Sequence, residues 1–90
     1  MRKEKVTRTE EEVKKINKFI VAHGFKDMTE FAKAVGMERQ NVWCRIRGRT
    51  DPNIRMLMKW AIVLNCDITE LLELFYPREY GEYMYLSRVR

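Results

Sequence analysis

Between Gly36 and Arg49 the chain reads GMERQNVWCRIRGR, a stretch holding four arginines, a glutamine, an asparagine and a tryptophan. An arginine head is a rigid fork of N–H donors that fits paired acceptors, and a glutamine amide sets a donor beside an acceptor. Read as a helix, the stretch offers Met37, Val42 and Ile46 as its core contacts. Such a helix has a narrow side to bury and a wide side of hydrogen-bonding heads left for a partner.

Charge placement suggests what that partner is. The 90-residue chain has a net charge of +5, and residues 33–59 alone carry seven cations against two carboxylates. Residues 60–86 carry five carboxylates against Arg78. A basic middle beside an acidic flank points to a polyanion held on one face.

Other chemistries find little support in the residues. Cys44 and Cys66 stand far apart without CxxC spacing, and His23 is the one histidine, so neither zinc nor a disulfide framework is expected. No Gly-rich phosphate loop, carboxylate pair or partnered nucleophile stands out, so we expect no enzyme, no catalytic residue and no cofactor. The apolar runs Met56 to Met58 and Trp60 to Leu64 fall far short of the roughly 20 residues that span a membrane. With a polar start, MRKEKVTRTE, the expectation is one cytoplasmic domain over residues 1–90. A core of this size is thin, which favours a second copy as stabilising partner.

Helical punctuation is dense. Thr9 with Glu12 forms a capping-box pattern, and Val13, Ile16, Phe19, Ile20 and His23 follow at helical steps, predicting a helix over 10–23 closed by Gly24. Asp27 with Glu30 repeats the box before a helix over 28–35, and Gly36 ends it. The quoted stretch supplies a third helix over 39–47, stopped by Gly48. After the turn signal RTDPN, Asn53 caps a helix over 54–64, and Asn65 takes a left-handed exit. Asp67 with Glu70 then opens a helix over 68–75 that Pro77 cuts off. The tail, residues 77–90, has Pro and Gly breakers followed by strand-favouring Tyr83 to Leu86, and reads as a short strand or a frayed end. The expected architecture is all-α, five helices and a tail.

Ala32, Gly36 and Val42 stand at the spacing of two helices crossing steeply: a small residue at the crossing, a glycine in the bend and an aliphatic plug between them. This is the helix-turn-helix arrangement, in which the second helix protrudes far enough to enter a DNA major groove. Here the chain resembles the phage-repressor and Cro-like helix-turn-helix family, also called the xenobiotic response element type. DMTEFAKAVGMERQNVWCRIRG, then Pro52, then IRMLMKWAIVLNCDITELL follows the family pattern without a gap from Asp27 to Leu72. Three positions depart from it: Met28 where the family often has a phosphate-contacting glutamine, Glu38 where serine usually opens the helix, and Arg45 where an apolar residue is common.

The resemblance implies a five-helix lambda repressor-like domain that binds double-stranded DNA and regulates transcription, as a repressor, through helix 39–47. Base-reading positions would be Glu38, Arg39, Gln40, Trp43 and Arg47, since arginine pairs with guanine and glutamine with adenine. Thr29, Lys33, Asn41, Arg49 and Arg55 sit toward helix ends or the turn, where contacts to phosphate set register. A homodimer on a near-palindromic operator is expected, joined by helix 68–75 or by the tail. Two alternatives stand beside it: an antitoxin-like protein that binds operator DNA and a toxin, and an interaction module that binds no DNA.

Overall fold

Thr9 Oγ1 accepts the Glu12 amide at 3.2 Å while the Glu12 carboxylate accepts the Thr9 amide at 3.0 Å, so the expected reciprocal cap starts the first helix. The computed structural model describes residues 8–89, leaving the polar start up to Thr7, and Arg90, outside the described residues. It is all-α, with α1 (Glu10–Ala22), α2 (Met28–Val35), α3 (Arg39–Arg47), α4 (Ile54–Leu64), α5 (Ile68–Phe75) and α6 (Pro77–Val89).

The first five helices follow the sequence reading closely. α1 stops one residue earlier than expected: His23 is its C-cap, donating from Nδ1 to the Phe19 carbonyl at 2.8 Å and stacking on the Phe19 ring. At α2 the box is only half formed. Asp27 caps the Glu30 amide, but the Glu30 carboxylate takes the Lys26 amide at 2.7 Å instead of Asp27's own. Asn53 caps α4, Asn65 turns left-handed at φ +58°, and Asp67 with Glu70 closes the box on α5.

The tail is neither strand nor frayed end. It is a sixth helix, α6, entered directly from α5 through the single residue Tyr76, whose carbonyl accepts the Tyr80 amide at 2.8 Å. Proline is well suited to a first helical position, where its missing N–H would have had no partner. Gly81 costs the helix about 1 kcal/mol, which is too little to stop it. A lone strand would leave its backbone unpaired, whereas a helix satisfies its own.

The core is one cluster fed by α1 to α5: Ile16 and Ile20, Phe31, Ala32 and Val35, Val42 and Ile46, Leu57, Trp60, Ala61 and Leu64, Leu71 and Phe75. Edge-to-face aromatic pairs string across it, from Phe25 to Phe31 at 5.4 Å, Phe31 to Trp60 at 5.2 Å and Trp60 to Phe75 at 5.7 Å. Such T-shaped pairs add to what area burial alone provides. Trp60 is therefore a core residue, Met56 is half-buried, and Met58 lies exposed.

Candidate nucleic-acid interface

The bend that aims α3 is set by backbone geometry. Gly36 sits at φ +73° as the left-handed cap of α2, and the Met37 amide returns to the Ala32 carbonyl at 3.0 Å. Ala32 is buried at the crossing, and Val42 is sealed beneath it. α2 and α3 pack directly on each other.

α3 then divides cleanly. Val42 and Ile46 are 0% exposed. Both core positions therefore seat fully, and Arg45 at the departure from the family pattern does not rotate the helix. Its side chain folds to the flank, with Nε 3.3 Å from the Met56 sulfur. Glu38, Arg39, Gln40, Asn41, Arg47 and Arg49 are all exposed, while Trp43 and Cys44 are half-buried.

Four side chains come together at the mouth of the bend. Met28, Arg39, Gln40 and Trp43 line one shallow cleft between the starts of α2 and α3. One turn further on, the Arg47 guanidinium lies over the Trp43 ring, 5.5 Å from its centre. Trp43 thus covers the edge of the core and also holds Arg47 by a cation–π contact. Met28, where a glutamine was the family expectation, forms the apolar wall of this cleft. Among the described residues no carboxylate lies within ion-pairing distance of Arg39 or Arg47. Glu38, the N-cap of α3, makes no side-chain cap, so the amides of the first turn gain nothing from it.

The phosphate candidates are arranged around this cluster without entering the cleft. Thr29 and Lys33 are exposed on α2, Arg55 on the first turn of α4, and Arg49 just beyond Gly48.

The residue that sequence reasoning missed is Arg8. Its side chain is 5% exposed, and its guanidinium donates to the carbonyls of Arg45 at 2.8 Å and Ile46 at 3.2 Å, the last turn of α3. It also donates to the Phe75 carbonyl at 3.2 Å and to Asp51 at 2.9 Å, and lies 4.9 Å from the centre of the Phe75 ring. One cation therefore ties the end of α3, the following turn and the end of α5 together, and complements two helix dipoles at their negative ends. Nearby, Tyr76 donates its hydroxyl to the Pro52 carbonyl at 2.7 Å. Burial, with Asp51 and Glu79 adding to it against Arg8, raises the Tyr76 phenol above its ordinary pKa. Burial with the carboxylates of Glu70 and Asp67 does the same to the Cys66 thiol, which makes it a poor nucleophile.

Comparisons with protein-family models, with curated proteins and with solved structures return no match. Among the described residues no helix is long and apolar enough to cross a membrane, and no His, Cys, Asp and Glu group could hold a metal ion.

Proposed function

We propose that this protein binds double-stranded DNA sequence-specifically and regulates transcription, as a repressor acting by occupancy. In this reading α3 enters the major groove, and two copies span a near-palindromic operator with recognition helices about 34 Å apart. The observation that carries it is the division of α3: Val42 and Ile46 wholly buried on one side, with Arg39, Gln40 and Arg47 presented on the other. Arg39, Gln40 and Arg47 are the readers, with Trp43 steadying Arg47 and offering an apolar edge to a thymine methyl. Glu38 would accept from a cytosine amino group. Thr29, Lys33, Asn41, Arg49 and Arg55 would hold phosphates. The resemblance to the Cro-like family supports the same assignment.

A random-oligonucleotide selection followed by fluorescence anisotropy tests it. Arg39→Ala and Gln40→Ala should each remove about 1–3 kcal/mol of discrimination at one base pair, whereas Lys33→Ala should weaken all duplexes alike and lower the salt slope by about one. Binding that ignores salt and sequence, or no binding, refutes the reading. One observation favours a second partner as well: the exposed apolar side chains of α6, which suit a protein contact. An interaction module without DNA binding would keep that contact and show no salt-dependent association with duplex.

A further inference from the structure

Along its inward side α6 closes a groove against α4 and α5. Tyr76, Glu79, Tyr80 and Tyr83 recur at three- and four-residue steps, so one stripe carries three phenol rings and a carboxylate into it. Ile54 and Leu57 of α4 and Leu72 of α5 form the other walls. The groove measures about 520 Å³, within the roughly 300–1,000 Å³ of small-molecule sites. Its floor is firm: Leu57 belongs to the core, and the Tyr76 ring is fixed by the bond from its hydroxyl to the Pro52 carbonyl. Its rim is open, since Tyr83 stays 64% and Ile54 56% exposed.

Charge gives the groove a sign. Glu79 is its one charged residue, and among the described residues no lysine or arginine lines it or lies within ion-pairing distance of that carboxylate. Glu79 also borders the neighbouring cleft that holds Arg8 and Arg78, but Arg8 is already paired with Asp51. The surrounding stretch, residues 60–86, carries five carboxylates against one arginine.

We propose that this groove binds a small hydrophobic organic cation, its apolar body on Ile54, Leu57 and Leu72 and its positive centre facing Tyr80, Tyr83 and Glu79. Phenol rings attract a cation through their electron-rich faces while covering its apolar substituents. The carboxylate adds charge attraction at the rim, where an anion would be repelled with no cation to offset it. A neutral ligand gains the apolar contact and nothing from Glu79. A quaternary ammonium or phosphonium centre suits the site best, because it has no N–H donor to leave unsatisfied against an apolar wall. The site stands whether or not α3 reads DNA.

Two-dimensional amide NMR of the full chain, titrated with tetraphenylphosphonium, decides it. Tetraphenylborate is the control, since it matches the probe in size and shape and carries the opposite charge. The cation binds with a Kd on the order of 100 µM and moves the amides of Leu72, Tyr80 and Tyr83, which the anion leaves in place at the same concentrations. Glu79→Gln and Tyr83→Leu change exposed side chains, so melting is unaltered, and each weakens cation binding by about two- to five-fold. No movement of those amides up to about 1 mM cation overturns the proposal. So does borate binding there with equal strength, which would make the groove simply apolar, or a cation affinity that neither substitution changes. Sedimentation of the same samples tests the competing occupant: a self-association that covers Tyr83 and keeps the cation out also overturns it.

Discussion

Arg8→Met is the most informative single change, because it keeps an apolar stem and removes every polar contact of the guanidinium. The bonds to the Ile46 and Phe75 carbonyls are buried, and each orphaned acceptor costs about 1–3 kcal/mol. The Arg45 carbonyl is partly buried, and the Asp51 side chain is 43% exposed, so both regain water. The ion pair itself then counts for less than about 1 kcal/mol. Offsetting these losses, a desolvated charge disappears, and so does the buried Arg8 Nε–H, which has no acceptor. The balance is a loss of about 3 kcal/mol, a large share of the roughly 5–13 kcal/mol expected for a chain of this size. Melting followed by circular dichroism should fall by about 12–24 °C. Arg8→Lys should recover less than half, since one ammonium cannot serve acceptors on three segments, while Asp51→Asn should cost under about 1 kcal/mol. If Arg8→Met melts within about 4 °C of the wild type, the staple is not an energetic feature and the reasoning fails.

Tyr76→Phe should lose about 1 kcal/mol at neutral pH through the bond to Pro52. Because the folded phenol titrates above its unfolded value, its contribution is complete below about pH 10 and declines as pH rises through the folded value, so urea titrations should show a flatter alkaline limb for the variant. Gly36→Ala has open space for its methyl yet must hold φ +73°, so it should cost about 1–2 kcal/mol of backbone strain, with Gly36→Asn cheaper; equal stability of the three would contradict a left-handed bend. Glu38→Ser should add a missing N-cap and raise the melting temperature by about 5 °C, and no gain would mean that the first turn of α3 is already satisfied.

Five of the six helices were legible because each announces itself twice, by a capping residue and by apolar spacing. Thr9, Asn53 and Asp67 cap as their sequence positions suggest. The outward side of α3 was legible for a related reason: once Val42 and Ile46 are assigned inward, helical spacing leaves Gln40 and Arg47 nowhere else to point. α6 was not legible, since proline and glycine were weighed as breakers. A proline that ends one helix can begin the next when a single residue separates them, and local sequence does not distinguish those roles. Arg8 was hidden more deeply. It lies just before a helix, outside any periodic pattern, and its acceptors stand 37 to 67 positions away along the chain. The stack of Arg47 on Trp43 was out of reach as well, because spacing places two residues near each other without saying which side-chain conformers they adopt.

The arginines of α3 raise an electrostatic question that the fold itself answers. Arg45 and Arg47 lie in its last turn, where the carbonyl end of the helix carries partial negative charge, and there Arg8 approaches as a third cation. Cations are stabilising at that end, so the crowding that would burden an ordinary surface helix is offset by the dipole and by Asp51. At the opposite end Arg39 and Gln40 stand over a first turn whose amides have no side-chain cap. Uncapped amides at a helix start favour an anion. The exposed Arg39 and the partial positive charge of those amides therefore lie at one end of the helix, beside the exposed Glu38 carboxylate. An anion meeting that end would gain from both the amides and Arg39.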